Sequence, residues 1–193
     1  MTAEYVIWKY VSVPHACVLN KLTGLEKQFR LRRGVPLQAD FPDDVAFHMH
    51  PDFPNDLVLA DNVLNINQSN VVSPRLRDFL AGRQLPSVEF LPLKIIDHKG
   101  RGAGNYFIVH PVDPIDCIDR SQSVFEESDL VEGAIDSMSR LVIDPARIPA
   151  GRPLFKLQAF SDITLVHRDL TAAIDQQGFS GIGWTEIANY PEK

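Results

Sequence analysis

"SVEFLPLKIIDHKGRGAGNYFIVHP", residues 87–111, decides the fold of this chain. Two runs rich in β-branched and aromatic residues, 87–97 and 105–111, flank a glycine-rich stretch at 98–104, the pattern of a β-hairpin. Both runs carry apolar residues at adjacent as well as alternate positions. Strands of that kind are covered on both faces, so the hairpin belongs to a sheet with helices packed on it. The covering helix is legible just upstream in "SPRLRDFLAG", 73–82. Ser73 suits the N-cap and Pro74 the first helical position, where a missing N–H costs nothing. Leu76, Phe79 and Leu80 form an apolar stripe, and Gly82 is placed to end the helix in a left-handed conformation.

Outward from this centre, "YVIWKYVSV" (5–13) reads as a first strand. Residues 36–62 read as irregular chain around one short strand near "VAFHM". "SRLVIDP" (139–145), "PLFKLQAF" (153–160) and "GIGWTEI" (181–187) read as further strands, and a second helix spans about His167 to Gln177, ended by Gly178. The expectation is one α+β domain over 1–193: a mainly antiparallel or mixed sheet, two or more packed helices, an irregular part over 1–56 and a core over 57–187. A faint internal echo aligns Val72 with Val166, Leu76 with Leu170 and Leu80 with Ile174. A shared strand–helix–strand use of the same physics accounts for it.

With 193 residues, 45% hydrophobic and 23% charged, the chain can bury a core without disulfides or metals. Cys17 and Cys117 are far apart in sequence and suggest neither a disulfide framework nor a zinc knuckle, so a reducing cytoplasm is the expected compartment. The first residues lack a signal peptide's basic start, and no apolar run is long enough to span a membrane. A formal charge of −6 disfavours nucleic acid as a partner. That charge is uneven. Asp113–Asp136 holds eight acidic residues and only Arg120 as a base, whereas Lys21–Arg33 holds five bases and one acid. These are either two solvated loops of opposite sign or, for the first, a surface that steers a basic partner.

Few residues suggest catalysis. His110 falls at a strand end before the turn "VDPID", and Cys117 stands beside Asp116 and close to Asp119, whose charges raise a thiol's pKa rather than activate it. A buried structural cysteine is the expected reading. His48 and His50, two apart on a strand, would share a face and form half of a metal site, with Asp52 or His98 as further ligands. "GRGAGN" leads into a strand and not a helix, so it is no phosphate loop. A small enzyme or metal protein built on His110 and Cys117, or on His48 and His50, is the alternative to a binding protein. The scarcity of chemistry favours binding, with no cofactor.

Three groups of residues carry a resemblance covering about Leu57 to Trp184: Val72, Ser73, Leu76 and Leu80; Val109, His110, Pro111, Asp116, Cys117, Ile118 and Asp119; and Leu170, Ile174, Gly178, Gly181, Ile182 and Trp184. The pattern resembles the family first grouped as DUF1629 and later, with bacterial polymorphic-toxin immunity proteins, as Imm11. It departs at His167, where a serine is usual, which implies a weaker helix cap. The resemblance implies a small cytoplasmic protein encoded beside a toxin, which binds that toxin and blocks it, with no catalytic residues. It also implies that "HPVDPIDCIDRSQS" is a strand end and turn. The candidate contact with the toxin is the acidic segment: Asp113, Asp116, Asp119, Glu126, Glu127, Asp129 and Glu132.

Overall fold

The computed structural model describes residues 4–191. Its strands are β1 (Tyr5–Tyr10), β2 (Leu19–Thr23), β3 (Ala46–Met49), β4 (Asn62–Val63), β5 (Asn70–Val72), β6 (Val88–Ile96), β7 (Gly102–Pro111), β8 (Val124–Glu127), β9 (Ile135–Arg140), β10 (Leu154–Lys156), β11 (Thr164–His167) and β12 (Ile182–Glu186). The helices are α1 (Phe29–Arg32), α2 (Pro74–Ala81) and α3 (Arg168–Asp175). Together they make a single α+β domain with one mixed and two antiparallel sheets.

The hairpin forms as its sequence requires. β6 and β7 pair from Val88 opposite Pro111 to Ile96 opposite Gly102, and the turn is Asp97–Arg101, so Gly102 and Gly104 belong to the strand. Asp97 closes the turn by accepting from the Lys99 and Arg101 N–H groups at 2.8 and 2.9 Å. Around this pair the first sheet runs β2-β3-β6-β7-β5-β4, antiparallel except between β3 and β6. Its outer edge is not left open. The Leu19 N–H donates to Leu64 O and the Ile66 N–H to Leu19 O, which curls the sheet around a core containing Phe47, Leu91, Ile95 and Ile108. The second sheet runs β10-β11-β1-β12, and β8 with β9 makes a separate two-stranded ribbon.

Both long helices start where the sequence places them. Ser73 Oγ accepts from the Leu76 N–H at 3.2 Å. At α3 the cap is His167, whose Nδ1 accepts from the Asp169 N–H at 3.2 Å in the place where a serine is usual. Gly82 is a correction. It stays right-handed at φ −63, and the chain turns left-handed two residues later, at Gln84 (φ 52). Gly178 turns left-handed after α3 as expected, at φ 61. A second correction concerns "SRLVIDP". The strand there ends at Arg140, and its body lies upstream in "IDSMSR", because Ile135 and Met138 face the core while polar residues between them face water.

The internal echo extends into the backbone. β4-β5-β7-β6 and β10-β11-β1-β12 have the same strand order. In the first group Val72 lies opposite Phe107 and Val88 opposite Pro111. In the second Val166 lies opposite Val6 and Ile182 opposite Tyr10, at the matching positions. The two units meet face to face in one core of Val72, Leu76, Leu80 and Val109 against Val166, Leu170, Ile174 and Trp8, with Leu154. Asn70 and Thr164, matching residues, touch through Nδ2–H···Oγ1 at 3.1 Å. What lies outside these units is the chain between β1 and β4 and the β8–β9 ribbon.

Candidate functional site

The residues with reactive chemistry are placed apart and buried. His110 is 1% exposed, and its Nε2 lies 2.9 Å from the Val35 carbonyl. Burial holds the imidazole below its ordinary pKa, so it is neutral near pH 7. Cys117 is 0% exposed, and burial, then the Asp116 charge, pushes its thiol up to about 12. A thiol that does not ionise near neutral pH is a poor nucleophile. The groups acting electrostatically on Cys117 are Asp116, Arg147 and Asp144, while those on His110 are Lys156 and Glu89, so the two do not form a pair.

His48 and His50 are each held by different partners. His48 closes β3 against β2, its Nε2 3.2 Å from Thr23 Oγ1. His50 follows the strand, accepts from the Asp52 N–H through Nδ1 and packs on the Phe53 ring. Among the described residues no three His, Cys, Asp or Glu side chains gather as metal ligands.

The acidic segment divides into a tied part and an open part. Asp113 sits in a left-handed turn and accepts from Ser87 Oγ at 3.3 Å. Asp116 pairs with Arg147 at 2.6 Å. Asp119 accepts from Ser121 and Gln122, side chain and backbone alike, and those bonds lower its pKa. These three shape the turn that leaves β7. The open part is the β8–β9 ribbon, where Glu126, Glu127, Asp129, Glu132 and Asp136 stand with no basic residue among them between 126 and 136. All five are exposed. Glu127 pairs with Arg120 at 3.0 Å and Glu126 accepts from Ser137. Among the described residues Asp129, Glu132 and Asp136 have no ion-pair partner.

The fold also brings the basic run to the acidic one. A cleft of about 580 Å³ is lined by Phe29, Arg32 and Arg33 from the basic run, by Val131, Glu132 and Asp136 from the ribbon, and by Arg120 and Asp162. Arg32 reaches Asp162 at 3.0 Å. Beneath α1, the buried Lys156 ammonium lies 3.5 Å from Leu31 O, and burial brings its pKa down to about 8. Together with the His110 contact to Val35, this fixes the basic wall from below. Sequence reasoning missed the cleft because its walls lie about a hundred residues apart. It also missed Leu130, whose side chain is 92% exposed at the ribbon's turn. The sequence carried no signal of its exposure: the Leu-Val pair inside "ESDLVEGA" is followed at helical spacing by Ala134 and Ile135, as a core pair would be.

Among the described residues no helix is long and apolar enough to cross a membrane. The model of one protein family matches residues 10–189, nearly the whole chain: the immunity protein family Imm11. The chain therefore belongs to that family. No curated protein matches it.

Proposed function

We propose that this member of the immunity protein family neutralises a cognate bacterial toxin by binding it one to one, and that the acidic ribbon makes the contact. Family membership supports an immunity role with a toxin as partner. The observation that carries the choice of surface is the ribbon itself: five exposed carboxylates between 126 and 136, no base among them, on an element outside the two repeated units. A rigid scaffold with its variable chemistry on an added loop is a common arrangement for recognition. Toxins that act on nucleic acid carry positive charge, and a negative surface speeds their encounter and selects against acidic competitors. Both cysteines are free and buried, in keeping with action in the cytoplasm. Asp113, Asp116 and Asp119 would act indirectly, by holding the base of the ribbon.

The test is a titration of the toxin domain from the neighbouring gene with the purified protein. Toxin activity should fall to its floor at one molar equivalent. Reversing charge with Asp129→Lys and Glu132→Lys should weaken affinity by roughly tenfold at low salt, an effect that shrinks as salt is raised. Full toxin activity at several equivalents would overturn the reading. Unchanged affinity in the reversed variant would move the contact elsewhere.

A further inference from the structure

The ribbon ends in a turn, residues 128–134, whose shape is fixed by its own bonds. The Ser128 N–H donates to Ala134 O at 3.0 Å, the Ala134 N–H to Val131 O at 3.1 Å, and the Leu130 N–H to Ser128 Oγ at 3.3 Å. Gly133 supplies the left-handed residue, at φ 75, and the Arg120 guanidinium donates to its carbonyl at 2.7 Å from below. At the crest stands Leu130, 92% exposed, with Val131 beside it at 47%. Single exposed apolar residues are ordinary on a protein surface. Leu130 is set apart by degree, since the next most exposed large apolar side chain, Ile66, is at 61%. It is also set apart by its neighbours along the ribbon, since Glu126, Glu127, Asp129 and Glu132 all lie within four residues of it and are exposed.

We infer that this turn is a wedge: Leu130, steadied by Val131, enters an apolar recess on the toxin, and the surrounding carboxylates meet lysines and arginines on the rim of that recess. The inference rests on the toxin-binding reading above and names the residue that anchors it. A central apolar anchor inside a charged ring is the arrangement in which one or two side chains carry most of an interface. The turn is held by its own hydrogen bonds, so little ordering is needed on binding. Charge selects the occupant. A second copy docked ribbon to ribbon would bring five more carboxylates against these five, and an anionic membrane surface would repel them likewise. A basic protein surface is the complement.

The test measures affinity for the toxin domain from the neighbouring gene by calorimetry at low salt, using the full chain. Leu130→Ala should weaken binding about tenfold or more and Leu130→Asp further, while Ile66→Ala stays within about twofold. Circular dichroism should show all three variants folded. If the native protein binds and Leu130→Ala binds within about twofold of it, the wedge is overturned and one-to-one binding stands. If the native protein does not bind, the toxin-binding reading fails and the wedge with it. A concentration-dependent dimer that Leu130→Asp dissolves would assign the crest to self-association and overturn the wedge.

Discussion

The unit of β4, β5, α2, β6 and β7 and the unit of β10, β11, α3, β12 and β1 reach one backbone plan by different chemistry. Helix length, strand register and the left-handed turn after the helix coincide: Gln84 and Ser87 (φ 52 and 55) match Gly178 and Gly181 (φ 61 and 78). The closures differ. In the first unit Asp61 joins the helix start to the other unit, accepting from Ser73 Oγ at 2.7 Å, Arg75 at 2.9 Å and the Ser180 N–H at 2.9 Å. The matching residue in the second unit is Pro153, which keeps only the backbone bond, His167 N–H to Pro153 O at 2.8 Å, as Ser73 N–H does to Asp61 O. What the units share is the set of apolar residues facing their common core. The lesson is that this shared face sets the register, while caps, clasps and turn residues are free to differ.

The sharpest way to break the comparison is at one matched pair of turn residues. A Cβ on Gly181 would lie 2.2 Å from the Asn62 carbonyl oxygen, so Gly181→Ala should cost about 4 kcal/mol or more in denaturant unfolding. Ser87 already carries a side chain at the matching place, and Ser87→Gly should change stability by about 1 kcal/mol or less. Similar costs at both sites would mean that the second unit's turn does not need its glycine.

The clasp comes next. Asp61→Ala removes the acceptor for several donors and should cost about 2–3 kcal/mol, against less than about 1 kcal/mol for Pro153→Ala. Despite its burial, hydrogen bonds from Arg75, Ser180 and Ser73 hold the Asp61 carboxyl down at about 2. Its folded pKa is therefore below the unfolded value of about 3.9. The stabilisation is full above that value and fades as pH falls toward 2. Acid unfolding of the native chain should show this slope, and the alanine variant should show a shallower one, since Asp97 and Asp119 are also held low and remain.

Lys156 occupies the place that Leu64 holds in the first unit, and it is buried. Its folded pKa of about 8 lies below the unfolded value of about 10.4. Between these values the unfolded chain binds the extra proton, so stability rises with pH across that window. Lys156→Met should stabilise the chain by about 1–2 kcal/mol at pH 7 and remove that rise. The smallest effects are at the caps. Ser73→Ala should cost about 1 kcal/mol and His167→Ala about half as much, since a serine oxygen is the stronger cap and Ser73 also donates to Asp61.

The shared face is also what made the fold legible. β1, α2, β6, β7, α3 and β12 could be read because each carries apolar residues at its own period and, for the helices, a cap. β4, β8 and β9 could not. β4 has two residues, and the β8–β9 ladder shifts register twice, at Val124/Phe125 and at Glu126/Glu127, so no alternation of side chains survives in the sequence. The candidate site was half legible. Composition located the acidic segment, but its division into tied and open carboxylates depends on partners such as Arg147, and Leu130 reads in sequence like any core leucine until the turn exposes it. Gly82 misled because glycine permits a left-handed residue without requiring one.

The claim that a toxin docks on the ribbon, and not on the repeated scaffold, is tested most directly by hydrogen–deuterium exchange of the chain alone and in complex with a cognate toxin domain. The account expects slowed exchange centred on residues 124–140, spreading across the cleft to 29–33, with α2 and α3 unchanged. Protection centred on α2 or α3, with 124–140 exchanging as in the free chain, would contradict it.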